Sequence, residues 1–105
     1  MFSAFDLERS VRLGRFPDDP GLLSAYISLC EEVDNWRIYL RAYHVLLAVI
    51  CDDQVPRHWR CLTLDNVYRI ITSMHELART ERERRIVRRC THELSVLSHQ
   101  HLSPN

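Results

Sequence analysis

The sixteen residues Trp36 to Cys51, WRIYLRAYHVLLAVIC, decide the class of this fold. Their second half, Ala42 to Cys51, is apolar on nearly every side, with His44 as the exception. A helix without a polar face must be enclosed by other elements, so this stretch is predicted to be the buried central helix of a domain. At about ten residues the apolar run is roughly half of what a membrane span needs, and no membrane association is expected.

Upstream, Asp34-Asn35 forms a short turn that caps this helix. Before it, Leu22, Leu23, Tyr26, Ile27, Cys30 and Val33 recur at three- and four-residue spacing and predict a helix from Pro20 to Val33. Asp18 or Asp19 can cap it, with Pro20 at the first helical position. Glu31, Glu32 and Asp34 fall at its C-terminal end, where the helix dipole disfavours negative charge and a basic partner is expected. A first helix is predicted over Ala4 to Leu13, with a Ser3/Asp6 capping box, a left-handed cap at Gly14, and Phe2, Phe5, Leu7, Val11 and Leu13 as apolar positions.

Downstream, Asp52-Asp53-Gln54-Val55-Pro56 ends the central helix. His58 to Cys61 reads as a short turn before a fourth helix capped at Thr63, whose stripe runs through Val67, Ile70, Ile71, Met74, Leu77 and Ala78. Arg79 to Arg85 holds no apolar residue, and periodicity resumes at Ile86, Val87, Cys90, Leu94 and Leu97. Thr80 with Glu83 repeats the capping-box pattern, which favours two helices, or a kinked one, over a straight rod. Residues 99–105 are expected to fray. The sum is an all-α fold, a compact bundle of four to five helices in a single domain spanning 1–105. More apolar surface is present than so small a core absorbs, so a homodimer is expected, with the C-terminal helices supplying much of the contact.

Lysine is absent, and all fourteen basic residues are arginine. A GC-rich coding sequence, selection against ubiquitination, or an overlapping reading frame would each produce this. Residues 1–56 carry nine carboxylates and five arginines, whereas 57–105 carry nine arginines and five carboxylates. An acidic front and a basic back suit a reciprocal dimer, or pairing within one chain. Asp6, Glu8 and Arg9 interrupt the first apolar residues, so no secretory signal is expected. The chain reads as cytoplasmic, with Cys30, Cys51, Cys61 and Cys90 reduced and packed as small core residues.

Three constellations could carry chemistry. Arg79, Arg82, Arg85 and Arg89 share one helical face, beside Arg84 and Arg88, and could bind an acidic protein surface or track phosphates. Glu81 and Glu83 weigh against nucleic acid. Cys51, His58, Cys61, Cys90 and His92 are of zinc-ligating type but lack a paired-cysteine knuckle, so no metal or cofactor is expected. Trp36 with Arg37, and Trp59 with Arg57 and Arg60, are the places where an exposed aromatic anchor is expected. No phosphate loop, nucleophile elbow or zincin motif occurs, and no catalytic residue is assigned. The functional expectation is a small intracellular regulator or adaptor: an anti-activator, a chaperone-like protein, or a viral or phage protein that occupies a host factor. It would bind protein through Trp36, Arg37, Trp59, Arg60, Arg82, Arg85 and Arg89. The alternative is a nucleic-acid-binding regulator that uses the Arg79–Arg89 segment.

Overall fold

A computed structural model describes residues 3–102 and contains five helices and no strand among them. They are α1 (Ala4–Leu13), α2 (Pro20–Val33), α3 (Trp36–Ile50), α4 (Arg57–Leu77) and α5 (Glu81–Leu102). Phe2, expected on the first helix, and 103–105, the end of the expected frayed tail, lie outside the described residues.

Local capping explains most boundaries. The Ser3 hydroxyl accepts from the Asp6 N–H at 3.1 Å, and the Asp6 carboxylate accepts back from the Ser3 N–H at 3.4 Å, a reciprocal box at the start of α1. Gly14 ends that helix at φ +59°, a left-handed conformation that other residues adopt only with strain. Asp19 caps α2 by accepting from the Gly21 N–H, and Asn35 caps α3 by accepting from the Arg37 N–H. Asp34 stands between α2 and α3 at φ 51° and accepts from the Tyr39 hydroxyl at 2.9 Å. That bond anchors the turn to the core.

The central helix is α3, as its composition demands: it packs against α1, α2, α4 and α5. Ala42, Tyr43, Leu46, Leu47, Val49 and Ile50 are buried, while His44 is exposed. Truncating Leu46, which is fully buried, to Ala would cost about 2–5 kcal/mol. The radius of gyration, 13.4 Å, is that of a compact chain of this length, about 13 Å. The shape is nevertheless a slab, 40 by 38 by 15 Å. No helix among the described residues is long and apolar enough to cross a membrane.

Two expectations are corrected. The fourth helix starts at Arg57, directly after Pro56, with no separate turn at 58–61. Thr63 is not its cap but lies inside it, fully buried, with its hydroxyl donating to the Trp59 carbonyl one turn back at 2.8 Å. Nor does the described part of the tail fray. Helix α5 continues to Leu102, which is buried, and its last carbonyls accept from Arg57 (to Leu102, 3.3 Å) and Arg60 (to His101, 3.4 Å). Guanidinium groups at a helix C-terminus satisfy orphan carbonyls and oppose the negative end of the dipole.

Between α4 and α5 the chain does turn, at Ala78 to Thr80. The Thr80 hydroxyl accepts from the Glu83 N–H at 3.1 Å, and the Glu83 carboxylate accepts from the backbone N–H groups of Thr80 and Arg79 at 3.2 and 2.9 Å. These bonds hold Glu83 below the usual carboxylate range.

Charge is partly satisfied within the chain. Asp18, Glu31 and Asp53 of the acidic half meet His58, Arg69 and Arg60 of the basic half. The Glu31–Arg69 pair supplies the expected basic partner at the end of α2. Arg12–Asp52 and Arg41–Glu8 form within the acidic half. A reciprocal dimer is thus not needed to bring front and back together.

Candidate basic interface

Helix α5 is amphipathic, and its inner stripe of Val87, Cys90 and Leu94 is buried against α3 and α4. That docking fixes which side chains face outward. Arg82, Arg85, Arg89, His92, Val96 and His99, spaced three and four residues apart, are all exposed. None of the three arginines makes a hydrogen bond or ion pair among the described residues. The carboxylates beside them are engaged elsewhere. Glu81 pairs with Arg88 at 3.0 Å and lies 3.9 Å from Arg84, while Glu83 caps the helix start. The three arginines of the stripe are therefore left without a paired carboxylate among the described residues.

Arg79 is not part of this helical face. It precedes α5, in the turn, where its backbone N–H serves the Glu83 carboxylate. Arg79 lines a hollow of about 330 Å³ together with Asp34, Trp36, Arg37, Leu77 and Glu83. The fold thereby brings Trp36 and Arg37, at the start of α3, to the N-terminal end of the basic stripe. Arg37 is exposed and Trp36 half-buried, with its indole N–H enclosed and without a hydrogen-bond partner among the described residues.

Trp59 and Arg60 are misplaced by the sequence reading. Trp59 is 1% exposed and donates from Nε1 to the Val11 carbonyl at 3.0 Å. Arg60 is 7% exposed and donates from Nε to the Ile50 carbonyl at 3.0 Å. Both hold the fold together from inside, and neither is a surface anchor. The stripe itself shows why: Trp59, Thr63, Val67, Ile70 and Met74 follow one another at helical spacing and are all buried.

Cys51, His58, Cys61, Cys90 and His92 do not converge. Among the described residues no group of three or more His, Cys, Asp or Glu side chains is placed to hold a metal ion. His58 instead approaches Asp18 at 3.1 Å. All four cysteines are free thiols, and burial pushes Cys30 up to about 11 and raises Cys51 and Cys90 as well, which suppresses the nucleophilic thiolate.

No protein-family model, curated protein or solved structure matches the chain.

Proposed function

We propose that this protein is a small intracellular regulator or adaptor that binds an acidic surface of another protein along the outward face of α5. The observation that carries this reading is the set of three exposed arginines, Arg82, Arg85 and Arg89, with no partner within the described residues. Arginine forks pair bidentately with carboxylates, so a row of them favours a partner with acidic residues at matching spacing. Trp36 and Arg37 extend the row at one end, with the half-buried indole as the apolar component.

A second reading, nucleic-acid binding, draws on one particular observation. Glu81 and Glu83, which would repel phosphates, are each occupied by local contacts. The same stripe could then follow a phosphate backbone, although the chain's formal net charge of zero lowers its long-range attraction for DNA.

Two labelled probes separate the readings: an acidic amphipathic helical peptide and a mixed-sequence DNA duplex, each titrated by fluorescence anisotropy at several salt concentrations. The protein reading expects binding of the peptide that is lost in the triple variant R82E/R85E/R89E with helicity unchanged. Duplex binding that weakens steeply with salt, without peptide binding, would move the assignment to nucleic acid. Binding unaltered by the triple variant would remove α5 from both.

A further inference from the structure

In the hollow between the starts of α3 and α5 the side-chain acceptors are engaged and the donors are idle. Asp34 accepts from the Tyr39 hydroxyl and Asn35 Oδ1 from the Arg37 N–H, both at 2.9 Å, while Glu83 accepts from the N–H groups of Arg79 and Thr80. The guanidinium groups of Arg37 and Arg79, both exposed residues, make no hydrogen bond or ion pair among the described residues. Trp36, also in the lining, has its indole Nε1 enclosed by protein and without an acceptor. It is the one buried side-chain nitrogen or oxygen so left among the described residues. Buried polar groups are nearly always paired, because a donor stripped of water otherwise loses its hydrogen bond without replacement. Trp59 shows the ordinary arrangement, with Nε1 donating to the Val11 carbonyl at 3.0 Å.

We propose that this hollow is the seat of one side-chain carboxylate of the acidic partner, held by the guanidinium forks of Arg37 and Arg79 and by the Trp36 N–H. The inference rests on the reading of α5 as an interface for an acidic protein surface, and adds the place where one residue of that surface is recognised. Guanidinium and indole N–H groups donate and do not accept, so all three idle groups require an acceptor. A carboxylate accepts from several donors at once and matches the planar fork of arginine. The lining's own charges cancel, Asp34 and Glu83 against Arg37 and Arg79, so selection comes from directed hydrogen bonds rather than from net charge. The indole is half-buried, and tilting it outward to meet an acceptor breaks no hydrogen bond. Position fits as well, since the hollow lies at the N-terminal end of the row of Arg82, Arg85 and Arg89, next in reach of a partner segment that follows it.

The chain's two tryptophans give two indole N–H signals in a proton–nitrogen correlation spectrum, which Trp36→Phe assigns. Four titrants are compared: the acidic amphipathic helical peptide, the same peptide with each Glu replaced by Gln, sodium acetate, and sodium chloride. The Trp36 signal is expected to move downfield with the acidic peptide and with acetate, and to stay in place with the other two. The Trp59 signal, already bonded to Val11, is expected to stay in all four. The double variant R37Q/R79Q should lose the shift and weaken peptide binding roughly tenfold, with helicity unchanged by circular dichroism. A Trp36 signal unmoved by both carboxylates would overturn the seat; if the peptide nevertheless binds and R82E/R85E/R89E abolishes that binding, the basic interface stands without it. Movement with acetate alone, with no peptide binding, would overturn the interface and with it a protein source for the carboxylate.

Discussion

The indole Nε1 of Trp59, in α4, donates to the main-chain carbonyl of Val11, in α1, at 3.0 Å inside the core. The same carbonyl accepts from the Gly14 N–H at 3.2 Å, so the C-terminal turn of α1 is fastened by both the ring and the cap. Gly14 is also pressed against α4 and its approach: a Cβ there would stand 2.8 Å from Val55 Cγ1 and 3.3 Å from Trp59 Cδ1. Gly14→Ala therefore adds left-handed strain to a steric conflict and is expected to cost about 2–4 kcal/mol in urea unfolding. Trp59→Phe keeps most of the ring and leaves Val11 with its second donor, so its expected cost is smaller, about 1–2 kcal/mol.

Arg60 ties the end of α3 to the end of α5 by donating to Ile50 and His101. Arg60→Met keeps the aliphatic stem but removes the guanidinium, and should cost about 1–3 kcal/mol. Hydrogen exchange should locate the loss. Amides over the last turn of α5, residues 97–102, are expected to exchange faster than those around the inner stripe at Val87 to Leu94.

The turn between α4 and α5 contains neither Gly nor Pro, and its stop signal is the Thr80–Glu83 cap. Thr80→Ala should lower stability by about 1 kcal/mol, a fall of roughly 4–8 °C in melting temperature. Glu83 adds a pH dependence of definite sign. Its carboxyl is held below its ordinary range by the backbone N–H groups of Arg79 and Thr80, so its contribution is present above the unfolded value and is lost as pH falls through the folded one. Glu83→Gln should flatten the acid limb of a stability-against-pH curve.

At the alkaline end the sign reverses. Burial raises Tyr26, Tyr43 and Tyr39, and raises Cys30 to about 11. The folded chain then keeps protons that the unfolded chain releases. Stability from these groups is full below the unfolded values, about 8.5 for a thiol and about 10 for a phenol, and declines as pH rises beyond them. Unfolding followed by circular dichroism between neutral pH and pH 12 should show this decline, and Tyr26→Phe should reduce its slope.

The elements legible in the sequence are those whose signals are local. Ser3 with Asp6, Gly14, Asp19 before Pro20, Asn35, and Thr80 with Glu83 each act within four residues, and each sits at a helix boundary in the structure. Thr63 was misleading because a threonine hydroxyl can bond backward inside a helix as readily as it can cap one. Placing Trp59 and Arg60 on the surface failed for another reason. Their partners, Val11 and His101, are 48 and 41 residues away in sequence, and nothing local announces them. The basic stripe is visible as spacing, but the pairing of Glu81 with Arg88 and the capping role of Glu83 are set by contacts that spacing does not give.

A slab only 15 Å through, measured between backbone positions, is two helix layers: axes about 8–10 Å apart with backbone cylinders of about 2.3 Å radius span roughly 13–15 Å. Few core side chains can then be distant from a broad face, and whatever covers such a face rests almost directly on the core. Occupancy and folding become thermodynamically linked: a ligand at one hundred times its dissociation constant raises stability by about 2.7 kcal/mol. In a chain this small that is a shift of more than ten degrees, at about 4–8 °C per kcal/mol. A plain melting curve, run against a panel of partners, would therefore report engagement without any label or assay of activity.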